Sequence, residues 1–250
     1  MRTQIKTADE LQAMRRSGKI LAQILQELKE LTVVGMPTIE IDRIAREKLK
    51  QHNAQAPFLN YDGFPASICI SINDEIAHGI PNDYELRDND LVHLDFGVSI
   101  EGMITDAGIA YILGDKPTAD QERLLKGTKK ALDEGILLVR DGVRTGDIGA
   151  KIESVLKRYQ LDVVYELGGH GVGHTVHEDP YIANYGTAGT GETLLAGMTV
   201  AIEPNVSLKG HEMILDSNGW TYKTKSGALA AQFEHTVLIT ETGSEILTLV

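Results

Sequence analysis

The sequence predicts an α+β fold in which two pseudo-symmetric halves each pack antiparallel strands beneath helices. The clearest sign is an internal repeat, because residues 35–41 resemble residues 142–148 at an offset of 107 positions. In each copy a long helical pattern leads through a glycine turn and a threonine to a shorter helix, and strands follow. A length of 250 residues suits a single domain over 1–250, with halves of about 1–113 and 114–250.

Four helices are predicted from the spacing of apolar residues and from the residues that begin each helix. Two helices start with capping boxes, Thr7 with Glu10 and Thr118 with Gln121, in which each side chain accepts a hydrogen bond from the other residue's backbone amide. The predicted helices run from Thr7 to about Leu31, from Thr38 to about Gln51, from Thr118 to about Arg140, and onward from Thr145.

The predicted strands are separated by turn residues. Asn73-Asp74 ends one extended segment, and Glu101-Gly102 supplies the turn of a long hairpin. Strands and glycine-rich loops are predicted from Val163 onward. The clearest strands cover residues 67–72, 91–100, 103–113, 220–222 and 233–240.

Composition argues against several classes of protein. A formal net charge of −12 disfavours general affinity for nucleic acid or for anionic membranes. Cys69 is the only cysteine, so neither an internal disulfide nor a cysteine-based zinc module is expected. The N-terminal segment lacks an apolar signal core, and no apolar run approaches the roughly 18 residues of a membrane span, which predicts a cytoplasmic protein.

Two aspartates in the predicted hairpin form the first part of a candidate site. With the turn centred on Ile100/Glu101, Asp106 faces Asp95, and with the turn centred on Glu101/Gly102 it faces Gly97. Both registers place the two carboxylates on one face of the hairpin, where a cation between them would relieve their repulsion. The alternative is a solvated strand face, although the neighbouring residues are strongly apolar.

Three further residues have the chemistry of metal ligands. His170 lies in a glycine-rich loop, GGHGVG, which lets backbone approach a ligand closely. Glu203 and Glu234 lie within apolar strand patterns, where a carboxylate is costly to bury unless it is paired or metal-bound. They could instead point to water at strand ends. Four carboxylates and one imidazole together suit a pair of divalent ions such as Mn, Fe(II), Co or Zn.

In order, five segments resemble the type I methionine aminopeptidases: NDEIAHGIP at 73–81, the Asp95/Asp106 pair, GGHGVGHTVHEDP at 168–180, AIEPN at 201–205 and FEHTVLIT at 233–240. The spacings of eleven residues between the aspartates and seven between His170 and His177 match the family pattern. The resemblance extends over essentially the whole chain. It implies the pita-bread fold with a duplicated half, in agreement with the repeat.

The resemblance also implies roles for individual residues. Asp95 and Asp106 would hold one ion, Asp106 and Glu234 would bridge both ions, and His170 and Glu203 would complete the other. An additional monovalent cation belongs to the same expectation. The implied catalytic residues are His78, His177 and Glu203, and the implied substrate contacts are His78, His177, Tyr61, Phe64, Cys69 and Trp220. Phe58 and Val176 stand where other members carry Cys and Phe, which leaves the shape of the methionine pocket open.

The implied activity is removal of the initiator methionine from nascent polypeptides near the ribosome by a monomeric enzyme. We expect a small second substrate residue, because His170 and a strand from His174 to His177 would wall the space beside the scissile bond. Two alternatives remain: a dinuclear aminopeptidase acting before proline, and a non-catalytic relative of the same fold. Relatives of the second kind generally lose metal ligands, whereas all five candidates are present here.

Overall fold

The computed structural model describes residues 5–250 and places an antiparallel sheet beneath two pairs of helices. The helices are α1 (Ala8–Leu31), α2 (Thr38–Gln51), α3 (Ala119–Ile136) and α4 (Thr145–Arg158). The strands are β1 (Ile68–Ile72), β2 (Glu75–Ala77), β3 (Leu91–Ile100), β4 (Met103–Ile112), β5 (Asp162–Val163), β6 (Gly168–Gly171), β7 (Glu178–Ala183), β8 (Thr199–Ile202), β9 (Asn205–Ser207), β10 (Met213–Leu215), β11 (Tyr222–Thr224), β12 (Ala230–Gln232), β13 (Glu234–Ile239) and β14 (Ser244–Ile246).

One large sheet organises the fold. Its order is β1-β3-β4-β13-β8-β6-β7, with β14 paired to β13, and the pairings are antiparallel. Two three-stranded sheets, β10-β11-β2 and β12-β9-β5, lie beside it. Helices α1 and α2 pack on β1, β3 and β4 in one apolar core, and α3 and α4 pack near β7, β8 and β13 in a second core. The opposite face of the large sheet carries Asp95, Asp106 and Glu234 together with apolar residues such as Cys69 and Ile104.

The internal repeat has a clear structural counterpart. Helices α2 and α4 both contain 14 residues, and their bounds coincide when shifted by the offset seen in the sequence. Gly35 and Gly142 precede them with φ of 84° and 78°, a backbone conformation that glycine adopts without steric cost. The residue before each helix, Pro37 or Arg144, forms an isolated antiparallel bridge to a later segment. The repeated sequence therefore encodes the same turn and helix twice.

The β3–β4 hairpin adopts the second of the two registers allowed by the sequence. Asp106 is opposite Gly97, and Asp95 is opposite Gly108. The turn residues Glu101 and Gly102 both have positive φ, at 52° and 80°, as a two-residue hairpin turn requires. This register places the two aspartates diagonally on one face.

Both predicted capping boxes are present in the structure, at Thr7 and at Thr118. Three predicted boundaries are wrong by more than one residue. Helix α3 ends at Ile136 rather than near Arg140, because the chain tightens there into hydrogen bonds between residues three apart. The strand expected at 220–222 begins at Tyr222, since the side chain of Asn218 accepts from the amides of Trp220 and Thr221 and holds a turn.

The third error concerns the expected strand from His174 to His177. These residues form a loop, and β7 begins only at Glu178. The carboxylate of Glu178 accepts from the amides of His174 and Thr175 at 2.6 and 3.3 Å, which turns the chain back on itself. The second strand of the hairpin also ends one residue earlier than expected, at Ile112. Among residues 5–250, no helix combines the length and apolar character needed to cross a bilayer.

Candidate active site

The sheet brings the candidate ligands together in two rows on its helix-free face. In the first row Cys69 is opposite Asp95, Asp95 is opposite Gly108, and Gly108 is opposite Glu234. Directly opposed residues of antiparallel strands share a face, so these side chains all point the same way. Gly108 stands between Asp95 and Glu234, and a Cβ there would lie 3.0 Å from Nε2 of His93 and 3.4 Å from Cβ of Glu234, so only glycine lets these side chains pack this closely.

The second row runs parallel to the first and reaches the edge strand β7. Asp106 is held by Thr236, whose hydroxyl accepts from the Asp106 amide at 2.8 Å and donates to its carbonyl at 2.7 Å. Thr236 is opposite Ala201, and Ala201 is opposite His170. Residues two apart on a strand share a face. Asp106 therefore shares a face with Gly108 of the first row, and Thr236, in line with His170, shares a face with Glu234.

The five candidate ligands are close neighbours. One ligand atom from each of Asp106, His170 and Glu234 lies within 4.8 Å of the other two. Glu203 flanks this group, with its Oε1 3.3 Å from Nε2 of His170. Asp95 flanks the other side and is close enough to Asp106 for its charge to raise the pKa of that carboxyl, after the larger effect of burial. The structure therefore assembles all five residues, three of them most tightly.

The buried carboxylates of this cluster repel one another, and bound cations would relieve that repulsion. Burial, with the charge of Glu203 adding, raises the pKa of Asp95 to about 8. Burial and neighbouring carboxylates also hold the pKa values of Asp106 and Glu234 well above their ordinary range. Buried oxygens of Asp95, Asp106 and Glu234 lack hydrogen-bond donors within the described chain, and no lysine or arginine lines the cavity there. Oxygen-rich donors with one imidazole fit divalent metal ions.

Two amide side chains missed by the sequence reasoning orient the cluster. Asn205 and Gln232 are opposite each other on β9 and β12, and both donate to Oε2 of Glu203, at 2.9 and 3.2 Å. Gln232 also donates to Oε2 of Glu234 at 3.2 Å. Such partners fix the rotamers of metal-ligating carboxylates. Asn205 is the last residue of the AIEPN segment and Gln232 directly precedes FEHTVLIT, but an amide in a strand has no pattern that marks it as a partner of a ligand.

All eleven predicted site residues line one cavity of about 570 Å³. Its apolar side is formed by a cluster that includes Phe58, Phe64, Cys69 and Val176, with Tyr61 and Trp220 packed against it. The carboxylates form the opposite side. A cavity with one apolar compartment next to a carboxylate cluster can hold an apolar side chain while a neighbouring polar bond is attacked.

Comparisons with known proteins identify the family. The model of metallopeptidase family M24 matches residues 12–241. The chain belongs to metallopeptidase family M24.

Its relatives within family M24 have nearly the same length. The chain is 40% identical to a methionine aminopeptidase of Clostridium perfringens, covering 98% of both chains, and 38% identical to that of Escherichia coli K12, covering 100% of this chain and 95% of that one. The crystal structure of methionine aminopeptidase from Rickettsia prowazekii superposes with a TM-score of 0.96, at 38% identity, covering 99% of this chain and all of that one.

A more distant comparison concerns the fold alone. Prolidase from Pyrococcus furiosus superposes with a TM-score of 0.78 at 21% identity, covering 98% of this chain and 65% of that one. The predicted α+β pita-bread fold is thereby confirmed, and the metallopeptidase family agrees with the use of divalent metal.

Two histidines of this M24 chain face the carboxylate cluster. The rings of His177 and His170 are 4.4 Å apart, and Nδ1 of His177 is 3.1 Å from the Tyr61 hydroxyl. Burial in the cavity wall, with His170 and His78 adding, lowers the pKa of His177 to about 3. Burial also lowers the pKa of His78. Both rings are therefore neutral near pH 7, and each carries one N–H that can donate to a substrate oxygen.

The apolar compartment is shaped by aromatic contacts and by one glycine. Phe64 and Trp220 pack edge to face with ring centroids 5.3 Å apart. A Cβ on Gly97 would lie 2.7 Å from Cε1 of Phe58, so the hairpin backbone and the Phe58 ring are in close contact. Phe58 and Val176, the two departures from the family pattern, thus both line this compartment of the cavity.

Proposed function

We propose that this chain is a metal-dependent aminopeptidase that removes N-terminal methionine from polypeptides whose second residue is small. The observation that carries the proposal is the cavity itself, which joins an apolar compartment to a cluster of four carboxylates and a histidine. The full-length similarity to proteins named methionine aminopeptidase supports it. We place the activity on nascent chains in the cytoplasm near the ribosome, with the enzyme acting as a monomer.

In this proposal two divalent ions, Co, Mn, Fe(II) or Zn, occupy the cluster. Asp95 and Asp106 hold one ion, His170 and Glu203 hold the other, and Asp106 and Glu234 are shared. When bound, the ions supply Lewis-acid activation of water and of the scissile carbonyl. An additional monovalent cation belongs to the expected complement.

The chain's own residues bind, orient and transfer protons. The methionine side chain occupies the compartment of Phe64, Cys69 and Trp220. Glu203, whose Oε2 is held by Asn205 and Gln232, accepts a proton and delivers it to the leaving amine. His177 donates a hydrogen bond to the carbonyl oxygen as charge develops there, and His78 contacts the substrate from the other wall.

Selectivity for a small second residue is the sharpest expected property. His170 and the loop of Val176 and His177 wall the space beside the cluster, and Val176 is only 3% exposed. A bulky side chain would have to displace this packed wall, at a cost of roughly 1–3 kcal/mol or about 5- to 150-fold in rate. We therefore expect kcat/KM for Met-Ala-Ser to exceed that for Met-Leu-Ser by at least about fivefold under the same metal.

Peptide cleavage with mass identification of the products tests both the activity and the selectivity. Met-Val-Ser is the matched intermediate case and should be cleaved. Equal values for Met-Ala-Ser and Met-Leu-Ser would mean that the wall is absent. Ala-Pro peptides distinguish the second candidate: cleavage of Ala-Pro-Ser in preference to Met-Ala-Ser would assign the chain to the proline-directed enzymes. No cleavage by metal-loaded protein would support the non-catalytic alternative.

A further inference from the structure

A group of exposed aromatic side chains adjoins the cavity on the side of β7. Tyr181 lines the cavity and is also 50% exposed. It is directly opposite His170, so its side chain lies on the sheet face that carries the candidate ligands. Gly168 makes room for it, since a Cβ there would lie 2.8 Å from the Tyr181 hydroxyl.

The aromatic surface continues outward from Tyr181. The rings of Tyr165 and Tyr185 pack edge to face at 4.8 Å, and the His211 ring lies 5.2 Å from Tyr165. Tyr165 is 41% exposed and Tyr185 36% exposed, and neither lines the cavity. We call Tyr165, Tyr181, Tyr185 and His211 the tyrosine ledge. Exposed tyrosines offer rigid apolar area and a hydroxyl for hydrogen bonding at little entropic cost.

The ledge carries negative charge on its cavity side. Glu166 is exposed and lines the cavity. In the sequence it directly follows Tyr165 and precedes the ligand candidate His170. The Glu166 carboxylate and the Tyr185 side chain are both near enough to Tyr181 to raise the pKa of its hydroxyl. Burial chiefly, then Tyr185, Glu203 and Glu166, raises the pKa of Tyr181 to about 12. A cationic side chain on the ledge would meet both aromatic faces and a carboxylate.

The sheet order places the ledge where a bound substrate must continue. The methionine compartment adjoins Cys69 on β1, the candidate ligands lie on β3, β4, β13 and β6, and the ledge begins on β7. A polypeptide with its first side chain in the compartment and its scissile bond at the carboxylates therefore extends toward β7. The scissile bond would lie among the ligand atoms of Asp106, His170 and Glu234, which are within 4.8 Å of one another. Tyr181 is one strand spacing, about 4.8 Å, beyond His170, and Tyr165 and Tyr185 continue outward from it.

Chain length decides which substrates can reach the ledge. An extended peptide advances about 3.3 Å per residue, and a tyrosine ring reaches several ångströms inward from its own backbone. Tyr181 is thus within reach of the first residues after the scissile bond, whereas Tyr165 and Tyr185, which lie outside the cavity, are reached from roughly the third residue onward, which Met-Ala-Ser lacks.

We propose that the tyrosine ledge binds the substrate polypeptide at about the third to fifth residues beyond the scissile bond, and that Glu166 makes it favour basic over acidic side chains there. The proposal rests on the proposed function and adds a specificity determinant that begins at the cavity wall and extends beyond it.

Three peptides test the proposal in wild-type protein: Met-Ala-Ser, Met-Ala-Ser-Gly-Lys-Lys-Gly and Met-Ala-Ser-Gly-Glu-Glu-Gly. We expect kcat/KM for the lysine heptapeptide to exceed that for the tripeptide by about three- to tenfold, mainly through a lower KM. The glutamate heptapeptide should show a smaller gain or none. Equal kcat/KM for the lysine heptapeptide and the tripeptide would overturn the proposal without any variant.

Variants of the outer ledge and of Glu166 locate the effect. The double variant Tyr165→Ser/Tyr185→Ser should lose the gain from length while cleaving Met-Ala-Ser as the wild type does. Glu166→Gln should keep the gain from length and lose the preference for lysine over glutamate. Leu137→Ser, at an 80% exposed apolar position on the end of α3, is the matched surface control and should change none of these values.

The outcomes separate this proposal from the proposed function. Failure to cleave any of the three peptides overturns the proposed function, whereas cleavage without an effect of length or of the double variant overturns the ledge alone. Sedimentation velocity tests whether a second copy of this chain, rather than substrate, binds the ledge. A wild-type dimer that the double variant converts to monomer, with no effect of length, would make the ledge a self-association surface and overturn the proposal.

Discussion

At the scale of single residues, the carboxyl groups of Asp95, Asp106 and Glu234 are buried together, and among residues 5–250 no lysine or arginine lines the cavity beside them. Their raised pKa values mean that the folded, metal-free protein binds more protons than the unfolded chain between about pH 4 and pH 8. The free energy of unfolding then decreases as pH rises, because deprotonation is easier in the unfolded state. The cluster should therefore destabilise the metal-free protein under the conditions in which it binds metal best.

Chelated protein should melt at a lower temperature at pH 8.5 than at pH 7. In this range the buried histidines with lowered pKa values are mostly neutral in both states. His170 and Cys69, whose pKa values are raised, change stability in the same direction as the carboxylates. Each proton of difference changes stability by about 1.4 kcal/mol per pH unit. Calorimetry of chelated protein at the two pH values measures the effect. The Asp95→Asn variant should show a weaker pH dependence, and an unchanged or rising melting temperature in the wild type would contradict this assignment.

Glu203→Gln and His177→Ala should reduce turnover to different extents. Glu203→Gln weakens a metal ligand and removes the proposed proton carrier, so kcat should fall nearly to background. His177→Ala removes one hydrogen-bond donor and should lower kcat by about 10²–10³. Steady-state cleavage of Met-Ala-Ser by metal-loaded protein measures both. If the two variants lost little activity, or equal small amounts, the assigned roles would be wrong.

The types of the site residues could be predicted from sequence more readily than their partners. Asp95 and Asp106 lie on one hairpin, so local periodicity sufficed to place them on one face. Their approach to His170 and Glu234 depends on pairing between strands far apart in sequence, which the resemblance supplied and periodicity could not. Asn205 and Gln232 were missed because an amide in a strand has no pattern that marks it as a partner of a ligand.

At the scale of elements, a buried ion pair ties the segment before α1 to the loop that carries His177. Nζ of Lys6 lies 2.7 Å from Oε2 of Glu178, with side chains 0% and 4% exposed. The other oxygen of Glu178 accepts from two loop amides. His174 of the same loop is 2.7 Å from Glu10 on α1. This end of the molecule therefore supports the wall of the cavity.

Lys6→Met should lower the free energy of unfolding by about 3–5 kcal/mol, because it leaves the Glu178 carboxylate buried without its cation. It should also reduce kcat, since the loop carrying His177 loses its anchor. Urea denaturation and peptide cleavage measure the two effects. Lys19→Met, at an exposed position on α1, is the control. The double variant Lys6→Met/Glu178→Gln should recover part of the stability, and a wild-type-like single variant would refute the role of the pair.

Element boundaries were predictable where a side chain caps the backbone. Thr7 and Thr118 begin helices where their capping boxes require. Boundaries set by longer-range contacts were not, and the loop before Glu178 is the clearest case. Its shape depends on an ion pair between residues 172 positions apart, which no local pattern reveals.

At the scale of the whole molecule, the candidate ligands come from strands in both halves of the large sheet. Asp95 and Asp106 come from β3 and β4, whereas His170 and Glu234 come from β6 and β13. Metal bound by all of them links the core beneath α1 and α2 to the core beneath α3 and α4. A ligand that binds only the folded state stabilises it in proportion to the logarithm of its concentration relative to Kd.

Mn²⁺ at about 1,000 times its Kd should therefore raise the free energy of unfolding by about 4 kcal/mol. For a chain of this size the melting temperature should rise by roughly 8–16 °C. Calorimetry of chelated and Mn²⁺-loaded protein at one pH measures the shift. Asp106→Asn should abolish most of it, because Asp106 would be a ligand of both proposed ions. An equal shift in that variant would place the metal elsewhere.

The position of β13 has a consequence for the order in which the chain can fold during translation. This strand lies between β4 and β8 in the large sheet, yet it is thirteenth of the fourteen strands to be synthesised. Until it leaves the ribosome, β4 and β8 each present an unpaired edge, and such edges invite pairing with other chains. Incomplete chains that stop before Phe233 should therefore aggregate. Pairing of β13 with β4 and β8 removes both free edges, and the same step brings Glu234 to the candidate site.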